Sequence, residues 1–438
     1  MARLPQLFNI LRGEMSIVGP RPALWNQYDL VAERDKYGAN DVLPGLTGWA
    51  QINGRDELEI PVKARLDGEY VKKFGLWMDL RCMLGTVFAV VGHKGVVEGG
   101  TGTITSIRRK GQGEPVGGVL AAQQVYAKVR DSLPDGSKKV LVTGAGSYIG
   151  TAVRQWLSAF GGRYEVTELN MHGGLWKMHD FSKYDTVFHV AGIAHADTGN
   201  VSKEQKQLYY EVNRDLALET AKAARSAGVR QFVYMSSIII YGESAPCFAD
   251  ARRITAKTKP QPANFYGNSK WQADKKLREM ETPGFQVCVL RPPMIYGAGS
   301  KGNYPVLAKL ATAAPVFPDV KNERSVLHID HLCEFVRLVI ENEETGVFFP
   351  QDAEYADTAS LVRLIAAEHG KRVRLVKALA PCVRVAALLP GRIGRLADKA
   401  FGSLSYEMAL SVYPKGEYRI HSLRESIAVT ESGNAATK

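Results

Sequence analysis

A chain of 438 residues has room for two or three domains, each with a sizeable core. Its formal charge of +11 comes from dispersed Lys and Arg that do not interleave with aromatics, which argues against nucleic acid and leaves anionic small molecules or an anionic surface as partners. Five scattered cysteines (Cys82, Cys247, Cys288, Cys333 and Cys382) show no zinc or Cys-x-x-Cys spacing, so no disulfide framework or metal is expected and a reducing cytoplasm is predicted. Neither a secretory signal nor an apolar run near the roughly eighteen residues of a spanning helix is read.

The first segment runs Leu4-Pro-Gln-Leu-Phe through Gly19-Pro20-Arg21-Pro22, then Leu43-Pro-Gly-Leu-Thr-Gly48-Trp49 to Asn53-Gly-Arg55, Leu66-Asp67-Gly-Glu-Tyr70 and Leu76-Trp77-Met-Asp-Leu. The prolyl turn presents Arg21 to anions, a sensible phosphate contact. Over roughly residues 2–92 the array resembles the C-terminal half of bacterial sugar transferases, the monotopic phosphoglycosyl transferases that move a sugar phosphate from a UDP-sugar to polyprenyl phosphate. The resemblance implies a small α+β segment whose nucleophile and magnesium ligand are an Asp-Glu pair directly before Leu-Pro-Gln. Ala2 and Arg3 stand there instead, so the expectation is a catalytically silent remnant or a truncated piece. In the related transferases the region of Leu76 to Val91 lies near the bilayer, which makes it the first membrane candidate.

A glycine-rich run from Gly92 to Gly118, broken by Arg108-Arg109-Lys110, reads as an exposed linker, and a helical segment follows from Val119 to Leu133. Residues 1–105, 106–136, 137–425 and 426–438 are thus read as transferase-like domain, linker, nucleotide-binding domain and disordered tail.

Val140-Leu-Val-Thr-Gly144-Ala-Gly146-Ser147-Tyr148-Ile149-Gly150 is a β-branched run that breaks at glycine and opens into a helix, the pattern that places a dinucleotide pyrophosphate on backbone amides. An ordinary glycine-rich turn also fits those residues alone. Further strands are read at Tyr164 to Asn170, Tyr184 to Gly192 and Gln231 to Ser237, separated by helical stretches such as 215–225. The alternation predicts an α/β, Rossmann-type doubly wound parallel sheet with a small C-terminal substrate lobe. Tyr266-Gly-Asn-Ser-Lys270 then puts a phenol and an ammonium one helical turn apart, where the lysine is expected to lower the tyrosine pKa and make a usable proton donor and acceptor.

In this order the motifs resemble the extended short-chain dehydrogenase/reductases of the nucleotide-sugar epimerase and reductase branch, well over residues 138–345 and diffusely to about 420. The resemblance implies Tyr266 as catalytic acid/base, Lys270 as ribose ligand and tuner of Tyr266, and Ser237 as partner of the reacting sugar oxygen. It places the cofactor against Gly144, Gly146, Ser147, Tyr148, Ile149, Gly150, Asn170, Asp180, Ala191, Gly192 and Asn213, and the UDP-sugar against Ser237, Asn303 and Arg324. Arg324 reads equally well as a solvated surface charge. It also implies a homodimer through the helices of Tyr266 and 215–225.

Three departures shape the reading. Ser147 replaces a fingerprint glycine. Asn170 replaces the acid that meets a ribose 2′-hydroxyl and, with His172 and Lys177 nearby, tilts the cofactor towards NADP over NAD. Three isoleucines follow Ser237, where the family's dehydratases carry an Asp-Glu pair, and Met294 and Ala194 stand where 4-epimerases have asparagine and lysine. The lean is to a 4-ketoreductase of a UDP-hexose or UDP-amino sugar in surface polysaccharide biosynthesis, with 4-epimerase close behind. An active transferase or a scaffold that docks the reductase beside a membrane transferase are the other readings.

His189 is expected in the core and His195 at the sugar pocket. From Leu375 to Phe401, Arg384, Arg392, Arg395 and Lys399 interleave with apolar residues. This stripe reads either as a core-facing helix or as an amphipathic helix at an anionic interface, which would seat a cytoplasmic protein at the inner face of the plasma membrane.

Overall fold

The computed structural model describes residues 15–21, 33–53, 60–91, 117–194, 202–389 and 392–436. The chain forms two compact units, Met1–Gly111 and Gln112–Lys438.

In the first unit β1 (Ser16–Val18) pairs in parallel with β2 (Gly45–Thr47), followed by α1 (Trp49–Ile52), α2 (Ile60–Lys72) and α3 (Leu76–Val91). Val18, Tyr70, Met78 and Cys82 form its core. The Tyr70 hydroxyl lies 3.0 Å from the Val18 carbonyl and 2.8 Å from the Asp79 carboxylate, which ties α2 to β1 and α3. Arg34, buried against Asp67 at 2.6 Å, donates to the Arg21 carbonyl at 2.9 Å and so braces the prolyl turn. Leu76 and Trp77 at the start of α3 are exposed. No helix among the described residues is long and apolar enough to cross a membrane.

The second unit opens with α4 (Gly117–Val129), β3 (Lys138–Thr143), α5 (Tyr148–Ser158), β4 (Tyr164–Leu169) and β5 (Thr186–His189). It continues through α6 (Lys203–Tyr210), a π-helical turn Glu211–Asp215, α7 (Leu216–Ser226), β6 (Gln231–Met235), β7 (Arg252–Ile254), α8 (Phe265–Arg278) and β8 (Gln286–Leu290). Then come β9 (Met294–Tyr296), α9 (Asn303–Ala313), β10 (Val316–Pro318), β11 (Val326–His328), α10 (Ile329–Glu341) and β12 (Gly346–Phe348). The chain closes with α11 (Thr358–Glu368), β13 (Arg374–Val376), α12 (Ala380–Leu388), α13 (Arg392–Phe401), β14 (Leu404–Tyr406) and α14 (Leu423–Ala436).

Six strands form one parallel sheet in the order β12-β8-β6-β5-β3-β4. Because side chains alternate along a strand, each strand feeds two cores. Val140, Val142, Val233 and Met235 pack under α4, α5 and α10, while Leu141, Phe232 and Tyr234 pack under α7 and α8. Apolar demand on both faces is why these strands read as near-continuous hydrophobic runs. A separate cluster, with Tyr296, Tyr304, Phe317, Val362, Ile365, Phe401 and Ile427, forms the C-terminal lobe.

Two boundaries differ from the sequence expectation. Helix α4 buries Ala121 and Ala122 in the sheet core, so residues from 117 onward belong to the domain and not to a linker. Residues 426–436 are not a disordered tail. They continue α14, whose Ser426, Ile427 and Thr430 are fully buried, and whose Glu431 accepts from the Tyr304 hydroxyl at 2.8 Å and pairs with His369 at 2.7 Å. Small polar residues normally signal solvent; here they let the helix approach a polar interior closely. The other linker residues of the prediction, 106–116, lie outside the described residues.

Candidate active site

The turn after β3 needs glycine at two positions: Gly144 has φ +85° and Gly146 has φ +74°. Ser147 needs none, since its φ of −72° is ordinary, and its Oγ caps α5 by accepting from the Gly150 amide at 3.2 Å. The serine in place of the fingerprint glycine therefore costs the turn nothing. No atom lies within 4 Å of where a Cβ on Gly146 would sit, so the turn is open above the N-terminus of α5. Open glycine backbone at a helix N-terminus fits a dinucleotide pyrophosphate, and Tyr148 and Ile149 stand in the first turn of that helix.

The next strand end lies alongside. Ala191 is so close that a Cβ on Gly144 would meet its backbone nitrogen at 3.1 Å, and a Cβ on Gly192 would lie 3.1 Å from Lys270 Nζ. Asn213, on the π-helical turn, is fully buried. Its Oδ1 accepts from the Ile193 amide at 2.8 Å, and its Nδ2 reaches the Ile193 carbonyl at 3.1 Å and Ser269 Oγ at 3.2 Å. Its amide therefore locks the loop after β5 onto α8.

Helix α8 starts at a cap in which Asn264 accepts from the Gly267 amide at 2.9 Å. A Cβ on Gly267 would lie 2.8 Å from the Ile239 carbonyl. Glycine directly after Tyr266 thus lets the helix approach the 3-10 turn Ile238–Tyr241, whose N-cap is Ser237, and the Ser237 hydroxyl bonds Tyr266. The predicted trio therefore comes together. Lys270, one turn on, is buried; its Nζ donates to the Met235 carbonyl at 2.9 Å and sits 5.1 Å over the Tyr234 ring.

The electrostatics of the pair differ from the expectation. Burial pushes the Tyr266 phenol up to about 12, with the Ser237 bond acting against it, and burial pulls the Lys270 ammonium down to about 8. Desolvation disfavours the charged form of each group and is the leading cause of both shifts. At neutral pH Tyr266 is a protonated donor.

A cluster that sequence reasoning missed fixes the far end of α8. Asp274 lies on the stripe of Tyr266 and Lys270, two turns beyond Tyr266, and is fully buried. Arg291 donates to it through Nε and Nη2, each at 2.8 Å, Ser236 Oγ donates at 2.9 Å and Arg278 at 3.1 Å. Arg291 also donates to the Tyr241 hydroxyl at 2.7 Å. The signal was present: a carboxylate between Ala273 and Leu277 on an inward helix face requires a cation, and Arg291 is the charge next to the following strand.

Other predicted residues have local duties. Asn170 is exposed and accepts from the His172 amide at 2.9 Å. Lys177 pairs with Glu219 at 2.8 Å. Asp180 caps a 3-10 turn through the Ser182 amide and hydroxyl, bonds that hold its carboxyl below the usual range. Asn303 begins α9 and is half-buried. Arg324 does not reach outward as a surface charge: its guanidinium donates to the carbonyls of Gly402 at 2.8 Å and Lys399 at 2.6 Å, at the C-terminus of α13, and burial lowers its pKa to about 10. His189 is a core histidine bonded to Thr143 at 3.0 Å and kept neutral by burial, with a pKa near 3. His195 lies outside the described residues.

Residues 1–93 match the family model for bacterial sugar transferases, and residues 140–348 match the NAD dependent epimerase/dehydratase family. The chain is 40% identical over 111 residues to an uncharacterized sugar transferase of Bacillus subtilis, covering 25% of this chain and 54% of that protein. It therefore spans about half the length of that relative. It is 26% identical over 299 residues to UDP-glucose 4-epimerase of Vibrio cholerae, covering 62% of this chain and 88% of that protein. Among solved structures, a dTDP-4-dehydrorhamnose reductase from Clostridium acetobutylicum superposes with a TM-score of 0.51 at 18% identity over 67% of this chain and 98% of its own, a likeness of fold.

Proposed function

Residues 140–348 belong to the NAD dependent epimerase/dehydratase family and residues 1–93 to the bacterial sugar transferases, and from that premise we propose that the second unit is a 4-ketoreductase of a UDP-linked hexose or amino sugar. The observation that carries this reading is Tyr266: a phenol held protonated at neutral pH, bonded to Ser237 and backed by Lys270. A ketone reduction needs a proton delivered to the carbonyl oxygen, and this site is set to give one. Gly144 and Gly146 would hold the pyrophosphate of a reduced nicotinamide dinucleotide, which when bound would supply the hydride for C4. Ser237 then polarises the 4-keto oxygen, Tyr266 protonates it, and the Lys270 ammonium stabilises the tyrosinate that remains. Asn213 and Asp274 position the elements that carry these groups.

NADP is the proposed cofactor, because Asn170 places no carboxylate against a 2′-phosphate. Lys177 adds little to that preference, being drawn to Glu219. For Arg324 the proposed role is to hold the end of α13 in the substrate lobe.

The test is Tyr266→Phe. Reduction of a UDP-4-keto sugar is expected to fall by roughly 10²–10⁴-fold while NADPH binding is retained. Parent-level turnover in the variant would end the proposal. A 4-epimerase is the second reading, favoured by the Vibrio cholerae relative. An epimerase returns its hydride to the same substrate, so oxidised NAD that stays bound through purification would select it over the reductase.

A further inference from the structure

The basic amphipathic stretch of the C-terminal lobe turns Val383, Ala397 and Phe401 to the core, yet it also holds several aliphatic side chains in solvent. On α12, Val383 is buried, while Val385 is 60% and Leu388 80% exposed, with Leu389 beside them. Val385 and Leu388 lie three residues apart on one helix face, and Leu389 is the C-cap that follows them. On α13, Ala397 and Phe401 are buried and Leu396 is 64% exposed. Four aliphatic side chains on two helices in mutual contact are thus largely exposed among the described residues.

The same stretch of sequence carries charge of nearly one sign. Residues 371–401 contain Lys371, Arg372, Arg374, Lys377, Arg384, Arg392, Arg395 and Lys399 against a single acid, Asp398. Asp398 is engaged with the protein, accepting from the Cys247 amide at 2.8 Å. Arg384 lies one turn from Leu388, and Arg395 and Lys399 flank Leu396; all three are exposed. A protein partner could cover an apolar patch, but exposed Arg384, Arg395 and Lys399 beside it call for a surface both apolar and anionic.

We infer that the α12–α13 hairpin seats the oxidoreductase unit on an anionic lipid bilayer, with Val385, Leu388, Leu389 and Leu396 entering the headgroup boundary and Arg384, Arg395 and Lys399 meeting the lipid phosphates. None of these residues belongs to helix α3 of the first unit or to the set placed around Tyr266. Its failure leaves the proposed reductase untouched.

Cys382 supplies a local probe, being the one exposed cysteine of the five and lying on α12. The full chain, labelled there with an environment-sensitive dye, is mixed with vesicles of phosphatidylcholine or of equimolar phosphatidylcholine and phosphatidylglycerol, and its binding is also followed by sedimentation. A blue shift and binding that require phosphatidylglycerol and weaken with salt are expected. The pairs Leu388→Gln with Leu396→Gln and Arg395→Glu with Lys399→Glu are each expected to lower the partition coefficient about tenfold with NADPH binding unchanged. Trp77→Gln, in α3, is expected to leave the Cys382 shift in place. Equal binding to both vesicles, parent-like binding by the variant pairs, or loss of the shift only in Trp77→Gln would overturn the inference. So would a parent mass of two chains that the leucine pair reduces to one, since a second copy would then cover the face.

Discussion

Burial moves the two members of the Tyr266–Lys270 pair in opposite directions, and the lysine bears a stability cost for it. Its pKa falls from 10.5 to about 8, so the folded chain holds that proton less tightly than the unfolded chain does. Between those values the unfolded state binds more protons, and stability therefore rises with pH; below about pH 8 the desolvation cost is fully present. Lys270→Met removes the charge from the same space. The variant is expected to be more stable than the parent at pH 7 by roughly 1–3 kcal/mol, after allowing for the lost bond to the Met235 carbonyl, with the gap closing towards pH 10.5. Urea midpoints at the two pH values check this. Turnover is expected to fall in the same variant, because no cation remains to stabilise the tyrosinate, and in the parent to decline above about pH 8 as the ammonium is lost. Equal stability of parent and variant at pH 7 would mean that water reaches Lys270.

Helix α8 carries the proposed proton donor at one end and a buried ion pair at the other, so the placement of Tyr266 is expected to depend on Asp274. Asp274→Asn leaves the Arg291 guanidinium buried without its full counter-charge and is expected to cost roughly 3–5 kcal/mol of stability. Asp274→Leu combined with Arg291→Met removes both charges together and is expected to regain most of that loss, since an apolar pair of similar volume needs no desolvation. Denaturant midpoints of the two single changes and the double change form the cycle; additive losses would show that the pair is not coupled. The same helix shows what was legible beforehand. Tyr266 and Lys270 could be read because their spacing matches one turn, and Gly144 and Gly146 because a left-handed φ leaves few other choices. The strands could be read because burial on both faces forces β-branched runs. Asp274 asked for a cation by its place on an inward helix face, but that Arg291 supplies it is settled by the packing of α8 against the end of β8. Helix α4 was read as a helix but assigned to the linker, and α14 was read as a tail, because small residues in them match a linker or a tail in composition and only the neighbouring surface turns them into close contacts. The tyrosine pKa was misread because spacing reports the neighbour but not the solvent.

Each compact unit has its own core: Val18, Tyr70, Met78 and Cys82 in the first, and the sheet and lobe clusters in the second. Every residue placed in the candidate nucleotide site, from Gly144 to Lys270, lies in Gln112–Lys438. A site built within one unit owes its affinity to that unit's packing, so the first unit has no thermodynamic route to nicotinamide binding unless it supplies contacts of its own. A chain of residues 112–438 is therefore expected to bind NADPH as tightly as the full chain, measured by calorimetric titration. In the full chain, saturating NADPH is expected to raise the unfolding temperature of one transition, because ligand stabilises only the folded unit that binds it. The short chain is expected to show the same rise. An affinity in the short chain about tenfold weaker, a difference of about 1.4 kcal/mol, would show that the transferase segment takes part in the nucleotide site, and the two halves of the chain would then have to be treated as one enzyme.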